Sequence, residues 1–122
     1  MSEFDLAVCA EMVFTDLDIA ERARRISDLG FAVEIWSFAD KNLGALAATG
    51  ARFSSMTGYL HGDLYDPDGA REVLRTAAQA IKAAAELGVP RLVVHPGELV
   101  AGRAARPRYR ADAQMWFSAL RG

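Results

Sequence analysis

With one cysteine among 122 residues, the chain cannot form an internal disulfide, so the fold must be held by packing alone. Cys9 sits in the apolar run from Leu6 to Ala10 and is expected to pack as a small buried side chain. No apolar stretch approaches the roughly 18 residues of a membrane-spanning helix. The opening Met1-Ser2-Glu3-Phe4-Asp5 carries acids where a secretory leader carries lysine and arginine. A soluble, cytoplasmic protein without a membrane partner is therefore expected. Neither sign of charge is in strong excess: Lys and Arg number 14 against 16 Asp and Glu, for a net charge of −2. The isoelectric point near 5.6 argues against a domain given over to nucleic acid, which is usually strongly basic. Gly-x-Gly-x-x-Gly, a Walker loop, a Cys-x-x-Cys pair and His-Glu-x-x-His are all missing, and no serine or cysteine sits in a nucleophile elbow. Dinucleotide-binding, P-loop, zinc-ribbon and hydrolase-triad chemistry have no foothold in these residues.

What the chain does have is a repeated handover from helix to strand. Three times a helical stretch closes on a glycine and runs into a short apolar segment: Asp28-Leu29-Gly30 before Phe31, Ala48-Thr49-Gly50 before Ala51, and Glu86-Leu87-Gly88 before Val89. A helix ending at a left-handed glycine and followed by a β-rich run is half of a βαβ unit, and repetition of that unit makes a parallel sheet. Apolar residues at 52% and charged residues at 25% fit one globular domain over 1–122. Strands are expected over 6–10, 32–36, 52–57 and 91–95. Thr15 with Asp18 reads as a capping box opening a first helix that runs to about Leu29, with Ile19, Ala20, Ala23 and Ile26 as its apolar stripe. A short second helix spans 43–48. Asp66 and Pro67 open a third, whose stripe reads Val73, Leu74, Ala77, Ala78, Ile81, Ala84 and Leu87. A fourth begins near Ala111 or Asp112. The sequence thus supplies four strand-helix units, whereas a closed barrel of such units needs eight strands and typically about 250 residues. The expected fold class is α/β, a parallel (β/α)4 half of a TIM barrel, truncated near the start of the fourth helix.

Side chains alternate across a strand, so Val33 and Ile35 should meet helices while Glu34, Trp36 and His95 face the concave side. Val8, Val93 and Trp36 are expected to leave apolar surface on that side. A glutamate there must be either paired or used, and Glu34 is read both as a buried structural carboxylate and as a substrate or metal contact. His95 ends the fourth strand, where barrel enzymes place ligands; the alternative is a histidine bonded to a neighbouring strand. His61 lies in the Gly- and His-containing loop 58–66, where Asp63 is a possible co-ligand and plain solvation the competing reading. Trp36 and Tyr59 are candidates for the wall of a small-molecule pocket. Arg103, Arg106, Arg108 and Arg110 follow Glu98 without an intervening acid; they suit either an anion or a solvated face.

Taken in order, Ala10-Glu11-Met12-Val13-Phe14 after the first strand, Leu29-Gly30-Phe31, Val33-Glu34, Gly62-Asp63 and Leu87-Gly88 make the chain resemble the hydroxypyruvate isomerase branch of the xylose isomerase-like TIM barrels. The likeness covers nearly the whole chain, but only the first four units of that superfamily of sugar isomerases and epimerases. His95-Pro96-Gly97 looks like a zinc-ligand motif of the related endonuclease IV branch. The resemblance implies a divalent metal (Mg, Mn or Zn) and proton transfer through an enediolate of a sugar or hydroxy-carbonyl substrate. The family's main metal ligands and glutamates lie on strands five to eight. By that analogy the present residues form the substrate-side wall: Glu34, Trp36, His61 and Glu98 toward substrate, and His95 toward metal. The fragment is then inactive alone. Its open sheet edges favour a homodimer. Two rival expectations are a half-barrel binding or assembly module, and an endonuclease IV-like metal-dependent nuclease fragment.

Overall fold

Parallel strands cannot be joined by a tight turn and need a crossover, usually a helix. In the computed structural model, which describes residues 4–65, 67–97 and 121, each pair of successive strands has one. The elements run β1 (Ala7–Cys9), α1 (Ile19–Asp28), β2 (Ala32–Glu34), α2 (Leu43–Ala47), β3 (Phe53–Thr57), α3 (Pro67–Leu87) and β4 (Leu92–Val93). The strands form one sheet in the order β1-β2-β3-β4, and every neighbouring pair is parallel. The protein is an α/β chain with a four-stranded, all-parallel sheet.

The three glycine handovers are where the sequence places them. Gly30, Gly50 and Gly88 have φ of 88°, 70° and 69°, a left-handed conformation in which a Cβ is unfavourable. After α1 the Gly30 amide donates to the Ser27 carbonyl and the Phe31 amide to that of Ile26, the paired bonds of a Schellman ending. The start of α1 differs from expectation. Its cap is Asp18, whose side chain accepts the Glu21 amide at 3.0 Å, and Thr15 lies in the preceding turn. There the Arg22 guanidinium gathers the carbonyls of Ala10, Thr15 and Leu17. The backbone of this turn is held by a side chain from inside the helix, which a capping pattern does not reveal.

One face of the sheet is covered. Val33 and Ile35 join Ala23 and Ile26 of α1, Leu46 of α2, Phe53 and Met56 of β3, and Ala80, Ala83, Ala84 and Leu87 of α3 in a single buried cluster. Because α1, α2 and α3 all feed it, the helices lie on the same side of the sheet. Register then corrects two expectations. Val8 pairs with Val33, and Cys9 with Glu34. Paired residues in neighbouring strands share a face, so Val8 points to the helices and packs on their core. Cys9 lies on the open face and is only partly buried.

Helix α3 is turned differently from the stripe read from its sequence. Ala70, Val73, Thr76, Ala80, Ala83, Ala84 and Leu87 are buried, whereas Leu74 and Ile81 are 37% and 59% exposed. Thr76 explains the rotation: its Oγ accepts the Leu60 amide at 3.0 Å and donates to the Glu72 carbonyl at 2.9 Å. This tie fixes the helix to the loop after β3, while the alanines let it lie close on the sheet. The expected Asp66 cap and the fourth helix lie outside the described residues.

Leu46→Ala, which opens space in a fully buried position, should lower the free energy of unfolding by about 3 kcal/mol. Ile81→Ala should change it by less than about 0.5 kcal/mol. Urea denaturation of both variants checks this, and a larger loss for Ile81→Ala would mean that Ile81 packs in the core.

Candidate functional site at the carboxyl ends of the strands

The open face is built in rows by the strand register. Cys9, Glu34 and Ser55 occupy one row on β1, β2 and β3. Register slips between Val33 and Glu34, so that Val33 faces Phe53 while Glu34 faces Ser55. The residue passed over is Ser54, whose Oγ donates to the Val33 carbonyl at 3.3 Å. This irregularity lets both the buried Phe53 and the open-face Ser55 fit their surroundings. The Ser55 hydroxyl donates to Glu34 Oε2 at 3.3 Å. Thr57 and Val93 pair in the next row. Trp36 follows β2 and is 55% exposed; Val93 is 42% exposed.

The strongest electrostatic feature of this end joins residues far apart in sequence. Lys41 Nζ, just before α2, lies 2.9 Å from Glu11 Oε1, just after β1, and their side chains retain only 8% and 14% of their exposure. The same Glu11 oxygen accepts the Trp36 amide at 2.9 Å, and Oε2 faces the Cys9 thiol at 3.3 Å. Asp40 lies on the outer side of the ammonium at 3.1 Å. Burial pushes the Glu11 carboxyl upward, but hydrogen bonds from Lys41 and Trp36 and the lysine charge outweigh it and hold the group below its ordinary range. Lys41 is the mirror case: burial lowers it, and its two carboxylate partners more than restore it, leaving it above its ordinary range. Burial, with the nearby Glu11 and Glu34 carboxylates adding, raises the Cys9 thiol, so Cys9 is a poor nucleophile.

A second group forms at β3 and β4. Tyr59 Oη lies 3.4 Å from His95 Nδ1, and the two rings meet edge to face. The Leu64 amide donates to the Pro96 carbonyl at 3.0 Å, which ties the loop after β3 to the segment after β4. His61 belongs elsewhere. Its backbone bonds Thr76 of α3, and its charge adds to the effect of Arg75, the main cause, in holding Glu72 below the usual carboxylate range.

Of the residues picked from sequence, Glu34, Trp36 and His95 therefore lie on the open face or at its carboxyl end, and His61 sits against α3. Glu98 and the four arginines lie outside the described residues. Among the described residues, no three His, Cys, Asp or Glu side chains converge to hold a metal ion, so those residues do not make a metal shell by themselves. None of their helices is long and apolar enough to cross a membrane. In the sequence, Glu11 stands out only as part of the motif after the first strand, with no role of its own, and Lys41 and Ser55 do not stand out. The one available signal was that Glu11 follows Cys9 by two residues, which keeps it on the same side as the chain leaves the sheet. No family model, curated protein or solved structure matches the chain.

The pair makes stability depend on pH in a definite sense. Glu11 is depressed in the folded state, so its contribution is present above its ordinary value of 4.5 and fades as pH falls through the lower folded value. Lys41 is raised, so its contribution is present below 10.5 and fades as pH rises past the higher folded value. Lys41→Met, which strands a nearly buried carboxylate, should remove about 3 kcal/mol at neutral pH. Urea titrations should show this deficit shrinking toward pH 3, and a deficit independent of pH would contradict the pairing.

Proposed function

We propose that this chain forms the substrate-side wall of a (β/α)-barrel active site of the sugar isomerase or epimerase type. The observation that carries the reading is the in-order parallel sheet: its helices share one face, and Glu34, Ser55, Trp36, Tyr59 and His95 lie on the other face or at its carboxyl end. A doubly wound sheet binds ligands where its strand order reverses. This order has no reversal among the described strands, and steady progression with helices on one side is the arrangement that curls into a barrel. Barrel enzymes build their sites at the carboxyl ends of the strands. The proton-abstracting carboxylate and the divalent metal of such a reaction then belong to further barrel strands, and His95 offers one ring to that shared site.

The chemistry of the wall favours a neutral polyhydroxy ligand. The Glu34 carboxylate, the Ser55 and Thr57 hydroxyls and the Tyr59 phenol accept and donate hydrogen bonds to hydroxyl groups. Trp36 presents an exposed aromatic surface for the C–H face of a sugar. Among the described residues at this end, Glu11, Glu34 and Asp40 outnumber Lys41, which Glu11 and Asp40 already occupy. Without a metal, an anion such as hydroxypyruvate meets net negative charge and is disfavoured.

β1 and β4 are each paired on one side only among the described strands. Where the further barrel strands are missing, a second copy adding its β1 to this β4, and its β4 to this β1, would close eight parallel strands about a two-fold axis without supplying the proton-abstracting carboxylate. Sedimentation velocity should then show a dimer, and a monomer persisting at high concentration would count against that closure.

Calorimetric titration of the full chain with neutral pentoses, neutral hexoses and hydroxypyruvate tests the site. A neutral sugar should bind with millimolar affinity and hydroxypyruvate more weakly, with no turnover by this chain alone. Trp36→Ala should weaken sugar binding about tenfold, or about 1.4 kcal/mol, and Glu34→Gln by several-fold. Absence of binding by every sugar, or equal binding by both variants and parent, would overturn the reading.

A further inference from the structure

The nearly buried Glu11 carboxylate serves three partners at once, a small polar network rather than a lone ion pair. Glu11 takes hydrogen bonds from the Trp36 amide and the Cys9 thiol, carries the ion pair with Lys41, and through Lys41 reaches Asp40. These partners come from β1, from the end of β2 and from the loop leading into α2. The backbone ladder between β1 and β2 ends where the Ala10 amide donates to the Glu34 carbonyl. Beyond that point Glu11 holds the two chain ends together. The Trp36 carbonyl accepts from the Thr57 amide of β3 at 3.0 Å, so the Trp36 backbone is held through its N–H by Glu11, just after β1, and through its C=O by β3.

We propose that Glu11 is a positioning residue of this site, fixing the backbone of Trp36 so that its indole stands on the open face beside Glu34. The effect on ligand rests on the sugar-site reading above; the effect on Trp36 does not. Lys41 keeps the carboxylate charged and aimed within a nearly buried setting, and Glu11 itself makes no contact with the ligand.

The test separates placement from stability. In a Trp116→Phe background, where Trp36 is the sole tryptophan of the full chain, Glu11→Met with Lys41→Met replaces the ion pair by apolar chains of similar length, an exchange that frequently leaves stability intact. It also removes the acceptor for the Trp36 amide. Glu11→Gln with Lys41→Met restores an acceptor without restoring charge. The readouts are the thermal transition, Trp36 anisotropy with acrylamide quenching, and sugar titration. Both double variants should melt within a few degrees of the parent. The methionine pair should show lower Trp36 anisotropy, stronger quenching and at least tenfold weaker sugar binding, and the glutamine variant should recover most of each. Unchanged anisotropy and quenching in the methionine pair would overturn the positioning role. If the methionine pair does not fold, Glu11→Met alone, which removes the acceptor and leaves Lys41 paired with Asp40, is compared with Glu11→Gln, which keeps one; lower Trp36 anisotropy and stronger quenching in Glu11→Met support the role, and equal Trp36 signals in these two variants would overturn it. If the parent binds no sugar, the sugar-site reading fails, while the Trp36 signals still decide the role of Glu11.

Discussion

Each crossover between the described strands returns its helix to the same face of a parallel sheet, and that constraint divides the residues into two populations with different chemistry. On the covered face the requirement is dry packing: Val33, Ile35, Phe53 and Met56 meet Ile26, Leu46 and the alanines of α3. Burying a side chain of the size of Ile35 contributes roughly 1.5–3 kcal/mol, so this face supplies the driving force for folding. On the other face the residues answer to hydrogen bonding instead, and the sheet serves mainly as a ruler that sets their spacing. Parallel strands about 4.8 Å apart bring Cys9, Glu34 and Ser55 into one row.

The ion pair of Glu11 and Lys41 acts at the boundary between these populations. A nearly buried salt bridge is weak evidence for stability, because desolvation of both charges offsets much of their attraction. Its value here is in what it selects. An apolar pair at the same place has no preference for the Trp36 amide and no means of holding the loop before α2 in one orientation. Glu11 does both, because its Oε1 accepts from the Trp36 amide and from Lys41 at once. The direction of the shifts on Glu11 and Lys41 says that partner attraction exceeds the desolvation effect at each end.

Much of the fold was legible because it is encoded locally. Glycines at helix ends, alternating Val33-Glu34-Ile35-Trp36 and the long amphipathic run of α3 each carry their signal within a few residues. Where the signal is uniform, the reading slipped. Leu6 to Ala10 is apolar throughout, so nothing in it distinguishes the face of Val8 from that of Cys9; the register against β2 decides it. α3 is rich in alanine, which suits either side of a helix, and the single Thr76 hydroxyl orients it by binding a loop from an earlier unit. Glu34 and Trp36 could be assigned to the open face from alternation alone. Glu11 and Lys41 are thirty positions apart and meet only because the ends of β1 and β2 are neighbours. No periodicity encodes that contact.

The composition of the open face bears on what a barrel built from it would contain. Barrel interiors are ordinarily filled by layers of bulky branched residues. Here the lower row pairs Ala7 with Ala32, and the row above carries Cys9, Glu34 and Ser55. Two alanines, a thiol, a carboxylate and a hydroxyl fill little volume, and the polar groups among them need partners. As the half barrel proposed above, these rows would not complete a dry three-layer core against an opposite wall of ordinary size. They would leave space at mid-depth that is polar on this side, with Trp36 and Val93 standing above it. On the reading proposed above, a ligand rich in hydroxyls would satisfy that geometry better than an apolar one. In the proposed site, hydrogen-bonding capacity at Glu34 and Ser55 with an aromatic rim above would suit a molecule that is polar around its edge and apolar on its flat face.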